Sequence, residues 1–195
     1  KRPYLALQLA ERLRNDGFDF KLTMVGGGPM ADKLAEAIHI RGLDDYVELM
    51  GVLPNDRVRE LMRESEMLLF TSTRREGWGA VLNECMAEGC TPVAASMIGS
   101  VPFLISQGVN GCVFDDANVD SMVEQVERLL NQPLNCECMG NEARKTIAET
   151  WNAEESARRF VVLCNTLLGG AVESPFENGP CSRAEIMSDK WYRDC

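Results

Sequence analysis

The sequence predicts an α/β domain, a parallel β-sheet with helices on both faces. Three observations lead to it. Short apolar runs alternate along the chain with stretches whose apolar residues recur every three or four positions, the pattern of strands followed by amphipathic helices. One such run, Met67–Thr71 (MLLFT), is almost wholly apolar, as suits a strand covered on both faces. Glycine-bearing turns stand where strands would feed helices, at Gly26–Gly28 and at Gly77–Gly79.

The elements follow in order. Pro3 suits the first turn of a helix in which Leu5, Leu9 and Leu13, four apart, share a face; Asn15 and Gly17 stop it. Phe20–Val25 alternates as a strand, and Gly26-Gly27-Gly28-Pro29 turns into a helix carrying Met30, Leu34, Ala37 and Ile38, ended by Gly42. Tyr46–Met50 reads as a strand, Gly51–Asn55 as a loop, and Asp56–Arg63 as a helix with Val58, Leu61 and Met62 inward. Met67–Thr71 is the expected central strand. A polar loop over Ser72–Trp78 precedes a helix from Gly79 to Glu88, with Val81, Leu82, Cys85 and Met86 as its buried stripe. Gly89 ends that helix and Thr91–Ser96 is the next strand. A short helix over Pro102–Ser106, a strand over Gly111–Phe114 and a helix over Val119–Leu130 follow, then a break at Pro133–Cys138. Helices over Met139–Thr150 and Ala153–Leu168 close the regular part, the second opened by a capping box of Asn152 and Glu155.

Residues 1–168 therefore read as one domain. Beyond them Gly169, Gly170, Pro175, Gly179 and Pro180 interrupt any periodicity, so residues 169–195 form a linker and C-terminal arm. Ser182–Arg193 could add a last short helix. Trp191 and Tyr192 need burial, either on this domain or on a neighbouring domain or chain.

With 45% apolar and 26% charged side chains over 195 residues, collagen, coiled coil and wholesale disorder are excluded. Thirty acidic against twenty basic residues give a net charge of −10, which argues against a nucleic-acid partner, since such domains need a basic face. No apolar run approaches the roughly 20 residues of a membrane span, and no secretory signal opens the chain. The first residue is Lys1 rather than Met, so the chain reads as an excerpt or processed part of something longer. Of the eight cysteines, Cys85, Cys90, Cys112 and Cys164 lie in apolar runs and are expected as reduced core residues, which with the missing signal points to the cytoplasm. Cys136 and Cys138 lack zinc-ligand spacing, and the single histidine, His39, stands alone in a helical stretch; no metal site is expected.

In a parallel sheet the ligand crevice lies outside the carboxyl ends of the strands. Two loops there are candidates. Val25–Pro29 leads from glycines, Gly26 first, into a helix start, offering free N–H groups to an anion, but it lacks the P-loop lysine and the dinucleotide fingerprint. A tight turn without a ligand explains it equally. The second loop carries Glu76 ahead of Gly77-Trp78-Gly79 and a helix bearing Glu84. Both carboxylates can face one crevice and accept paired hydrogen bonds from vicinal hydroxyls of a sugar or ribose. An exposed loop acid plus an ordinary helix-surface glutamate explains the same spacing. Arg74 and Arg75, just before Glu76, either steer an anion or are solvated loop cations. Asp115 and Asp116 read as an acidic turn pair rather than metal ligands.

The stretch from Thr71 to Ala95, T-S-T-R-R-E-G-W-G-A-V-L-N-E-C-M-A-E-G-C-T-P-V-A-A, resembles the motif of two glutamates separated by seven residues in the retaining glycosyltransferases of family four. Flanking segments are similar in order and spacing: Val25–Pro29, Leu43–Gly51, Leu61–Phe70, the Gly99 loop and Gly108–Phe114. The likeness covers about Lys1 to Leu168. It implies one half of a GT-B fold, the C-terminal Rossmann-like domain that binds a nucleotide-diphosphate sugar, in an enzyme of glycan or polysaccharide biosynthesis. By that resemblance Glu84 holds the ribose, Glu76 reaches the transferred sugar as the catalytic carboxylate, and Gly77, Trp78 and Gly79 line the sugar and diphosphate. Gly51, Val52 and Leu53 would cradle the base, and Gly26 belongs to the donor-binding set. Lys1 is the counterpart of a lysine that contacts the diphosphate, or else a lysine outside the site. The nucleotide sugar is substrate, no cofactor is implied, and no divalent ion is expected to be essential.

The resemblance also implies what is not in this chain. A first, central strand with a phosphate-binding arginine should precede Lys1, and an N-terminal acceptor-binding domain should precede that. Any membrane contact belongs to that other domain, and the fragment is expected to be inactive alone. Trp78 replaces the usual phenylalanine, and Phe103 stands where a glutamate is common, behind Ser100 in place of glycine. Those exchanges leave room for a non-catalytic nucleotide-sugar-binding or interaction module, or for a sugar-nucleotide epimerase on the same fold. A phosphorylase would need a pyridoxal lysine context that the sequence lacks.

Overall fold

The computed structural model describes residues 1–184. Ile186, Trp191 and Tyr192, and with them the last helix expected there, lie outside the described residues. Five parallel strands alternate with helices in two hydrogen-bonded segments. The first pairs β1 (Leu22–Val25) with β2 (Val47–Gly51); the second runs β3 (Met67–Phe70), β4 (Thr91–Ala95), β5 (Cys112–Phe114). The predicted α/β class, a parallel sheet flanked by helices, is what the chain adopts.

One helix ties the two segments together. In α1 (Pro3–Asn15), Leu5, Leu9 and Leu13 enter a core with Phe70, Val93 and Phe114, while Leu7 and Ala10 enter a second core with Leu34, Ile38, Leu43 and Val47. Residues four apart share a face and the intervening ones present another, so α1 is apolar on two sides. Phe20 packs against both cores. Each buried leucine contributes roughly 2 kcal/mol of transfer free energy, so α1 couples the segments more firmly than surface contacts would.

Among the described residues the almost wholly apolar run at Met67 is not the central strand. Among the described residues β3 pairs with β4 alone, and β4, paired on both sides, is buried at every residue, as is β5 beside it. Local apolarity does not report which strand stands between two others: β3 is half-buried except at Phe70, while the fully buried β4 opens on the less apolar pair Thr91-Pro92. A second correction concerns Pro133. The expected break is instead the start of one continuous helix, α7 (Pro133–Glu149), because proline at the first helical position has no N–H to lose. Cys136, Met139, Gly140 and Ala143 form its buried stripe.

The other helices are α2 (Ala31–Ile40), α3 (Asn55–Glu64), α4 (Val81–Glu88), the single turn α5 (Val101–Leu104), α6 (Val119–Leu130) and α8 (Ala153–Leu168). Asn118 and Asn152 cap α6 and α8 through their side-chain oxygens, which accept from the N–H groups of Ser121 and Glu155. The Glu155 side chain does not close the box. It pairs with Arg158 and Arg159, whose hydrogen bonds hold its carboxyl down at about 2. Between α3, α4 and α7 lies Glu88, 6% exposed, gripped by Arg59 and Arg63; burial pushes its pKa up, but the hydrogen bonds from Arg63 and Arg59 bring it below the ordinary range.

Cys85, Cys90 and Cys112 are buried and unpaired as expected, while Cys164 is only half-buried on α8, which buries no residue fully. Burial pushes the thiols of Cys85, Cys112 and Cys136 up, which makes them inert packing groups. Past α8 the chain folds back, with Phe176 beneath the Arg158 and Arg159 guanidiniums and the Asn178 carbonyl accepting from Arg159. No helix among the described residues is long and apolar enough to cross a membrane.

Candidate strand-end site

The loop that leaves β3 is held from several directions. Arg2, at the N-terminus of α1, donates through Nε to the Thr71 carbonyl (2.9 Å) and through Nη2 to the Ser72 carbonyl (2.7 Å). Its Nη2 also meets Asp116 in the β5–α6 loop at 2.6 Å. Ser72, 3% exposed, turns its hydroxyl inward and donates to Glu76 Oε2 at 2.8 Å. Lys1 Nζ stands 3.3 Å from the same oxygen and 5.5 Å from the centre of the Phe70 ring. The Ser72 hydrogen bond, and after it Lys1, hold the Glu76 carboxyl below its usual range against the opposing effect of burial. Glu76 is therefore a fixed, ionised carboxylate at neutral pH.

The glycines around it are there for close approach. Gly79 is buried with φ +83°, and a Cβ there would lie 2.9 Å from the Phe70 ring and 3.1 Å from Glu76 Cγ. On the facing loop Gly99 lies so close that a Cβ would overlap the Gly77 carbonyl oxygen. The Gly99 N–H donates to the Glu76 carbonyl (3.3 Å) and that of Ser100 to the Trp78 carbonyl (3.1 Å), so the two loops are stitched backbone to backbone. Gly77 itself is exposed, and Glu84 is half-buried in the first turn of α4. The Trp78 ring stacks on Phe103 (5.8 Å between centres) and tilts against Trp151 (5.6 Å), and its Nε1 donates to Asn83. Phe103, the exchange that set this loop apart, is thus a packing partner of Trp78. Arg74 and Arg75 are exposed.

The remaining predicted residues gather at the ends of β1 and β2. A register shift after Met24 pairs Val25 with Gly51, and the Gly26 N–H donates to the Gly51 carbonyl at 2.7 Å. Gly27 faces Val52 so closely that a Cβ would lie 2.9 Å from its Cγ2. Val52 is 80% exposed and Leu53 half-buried. The predicted site thus falls into two clusters, both at carboxyl ends of parallel strands: Lys1, Glu76 and Gly77–Gly79 on one segment, Gly26 and Gly51–Leu53 on the other. An open groove of about 470 Å³ beside α6, lined by Asp115, Asp120 and Glu124 among others, is the wrong charge for an anionic ligand.

Sequence reasoning missed Arg2, Ser72 and Trp151. Arg2 and Trp151 find their partners about seventy residues away, which no local pattern reports. Ser72 was visible only as a polar loop residue, though its spacing of four before Glu76 was available. Ser100 Oγ is buried without a partner among the described residues, and only its backbone role is explained.

The family model for glycosyl transferases group 1 matches residues 1–146. The N-acetyl-alpha-D-glucosaminyl L-malate synthase of Bacillus anthracis is 28% identical over 142 residues, covering 73% of this chain and 36% of that protein. Among solved structures, S. aureus TarM, crystallised as a mutant with fondaparinux, alpha-GlcNAc-glycerol and UDP, superposes with a TM-score of 0.76 at 24% identity, covering 85% of this chain and 33% of that one. Anabaena HepE in complex with UDP-glucose gives 0.63 at 21%, covering 86% and 44%. At such identities the solved structures speak for the fold. The chain spans between a third and somewhat under half the length of these three proteins.

Proposed function

The chain belongs to the glycosyl transferases group 1, and from that membership we propose that it is the donor-binding half of a retaining glycosyltransferase using a nucleotide-diphosphate sugar. The observation that carries the reading is the juxtaposition at the end of β3: an ionised Glu76 fixed by Ser72 and Lys1, followed by glycine N–H groups at the start of α4. Fixed dipoles and a cation aimed at one crevice suit a substrate whose leaving group is a diphosphate.

In this reading Gly77 and Gly79 offer amides to the diphosphate, and Lys1 neutralises it as negative charge develops on the departing nucleoside diphosphate. Glu76 orients the transferred sugar through its hydroxyls and Glu84 accepts from the ribose. Gly51, Val52 and Leu53, with Gly26 beside them, receive the base along an open backbone edge. Residues 1–168 form the donor domain and residues 169–195 a linker and arm; the acceptor is held by a separate N-terminal domain of the whole protein, which also makes any membrane contact. The nucleotide sugar is the substrate, and no resident cofactor or metal enters the scheme. The compartment is the cytoplasm, where nucleotide sugars are made. A net charge of −10 is compatible with an anionic substrate because the contacts are local: Lys1 and backbone amides.

Calorimetric titration of UDP-glucose and a guanosine-diphosphate sugar into the chain tests this. At least one is expected to bind, and Glu84→Ala is expected to weaken it by a hundredfold or more, since a bidentate charge-assisted pair is lost. Equal affinity in the variant would sink the assignment.

A further inference from the structure

Arg2 stands at the crossing of three chain segments. From the first position before α1 it reaches the carbonyls of Thr71 and Ser72 and the carboxylate of Asp116, residues 69, 70 and 114 positions away. Its side chain is 21% exposed and all three contacts fall between 2.6 and 2.9 Å. Three acceptors arranged around one guanidinium require a planar fork of donors, which an ammonium on a flexible stem does not supply. The loop that presents Asp116 is itself constrained: Ala117 has φ +57°, a left-handed conformation costly for a residue with a Cβ. Asn118 caps α6 immediately after it. Such a conformation persists where its surroundings hold it.

We infer that Arg2 is a positioning residue for Glu76, clamping the β3-end loop to the β5-end loop so that Ser72 points its hydroxyl at the Glu76 carboxylate. Arg2 does not touch Glu76. It acts through the Ser72 backbone, whose carbonyl it holds and whose side chain makes the bond to Oε2. Without the clamp the backbone of 71–72 is free to rotate, and the carboxylate loses the neighbour that most favours its charged form. The Lys1 side chain is the other charge acting on Glu76, while Arg74 and Arg75 of the same loop are exposed. The inference rests on the nucleotide-sugar reading only for what an aimed carboxylate is for.

The test is the titration of the Glu76 carboxyl carbon by NMR in chain labelled at glutamate, the resonance assigned by its loss in Glu76→Gln. Arg2→Ala is expected to move the midpoint up toward the ordinary carboxylate range and to weaken nucleotide-sugar binding about tenfold, with Arg2→Lys recovering only part of either. Ser72→Ala should produce the same shift, and the Arg2→Ala/Ser72→Ala double variant no more than either alone, because both act on one bond. Should Arg2→Ala fail to fold, Asp116→Ala, which leaves the two carbonyl bonds, is expected to shift the midpoint in the same direction by less. A lower melting temperature with the Glu76 midpoint and the affinity unchanged would make Arg2 merely structural and overturn the inference, as would full additivity in the double variant. If the unmodified chain binds no nucleotide sugar, the reading of the site fails, while the titration still decides for or against Arg2.

Discussion

At the end of β3 the backbone is tied down by side chains and loops from elsewhere in the chain, whereas at the ends of β1 and β2 it is tied mainly to itself. The first region has Arg2, Ser72, Lys1 and the Gly99–Ser100 backbone converging on one loop. The second has a single backbone bond from Gly26 to Gly51 and an exposed Val52. The strands beneath differ less sharply: β3 is buried only at Phe70 but exposes no residue, and β4 and β5 beside it are buried at every residue, while β2 is buried only at Val47 and exposed at three of its five residues. A carboxylate that must be aimed needs a loop fixed from several directions. A flat heterocycle recognised by backbone edges needs an open one. The difference in packing therefore matches the division of labour proposed for the two ends of one ligand.

The comparison can be broken first in the cores. Phe114→Ala, at a fully buried position on β5, is expected to cost about 4 kcal/mol in chemical denaturation, whereas Leu49→Ala, 36% exposed on β2, should cost about 1 kcal/mol or less. Equal losses would remove the contrast. Next in size is Gly99→Ala. Its methyl group meets the Gly77 carbonyl, so overpacking should cost about 2–3 kcal/mol and also displace the loop that carries Glu76. Nucleotide-sugar binding should fall with it; a variant destabilised yet binding normally would uncouple the two loops.

A smaller effect is expected in the pH dependence. Glu76 has a lowered pKa in the folded chain, so its contribution to stability is fully present above the ordinary carboxylate value and disappears as pH falls through the folded value. The difference in melting temperature between the chain and Glu76→Gln should be constant from neutrality down to about pH 5 and shrink below it. A difference that grows on acidification would reverse the sign. Least of all, Val52→Ser should change stability by no more than about 0.5 kcal/mol, because the side chain is already in water.

How far the sequence reached differs between the same two regions. The pair Glu76 and Glu84 was legible because its spacing and its glycines are contiguous, and the start of α8 was legible because Asn152 announces it. Gly26 and Gly51 could be listed but not joined, since the register shift that brings them together is a property of two strands twenty residues apart. Arg2 was invisible for the stronger form of that reason: nothing near it in sequence is near it in space apart from its own helix. Pro133 and the Met67 run mislead because one residue type serves two local structures, proline opening helices as well as breaking them, and apolar runs marking strands that, among the described residues, pair on one side as well as those that pair on both.

The central claim is that the two clusters grip opposite ends of one nucleotide sugar. Amide chemical shifts of the chain, followed by NMR while uridine and then UDP-glucose are added, test it most directly, with a guanosine pair in parallel. The prediction is that one nucleoside perturbs Gly51 and Val52 and, through its ribose, Glu84, and that its diphosphate sugar perturbs these and Gly77 and Gly79 together. Perturbations confined to the acidic groove beside α6, or to one cluster with every ligand, would contradict it.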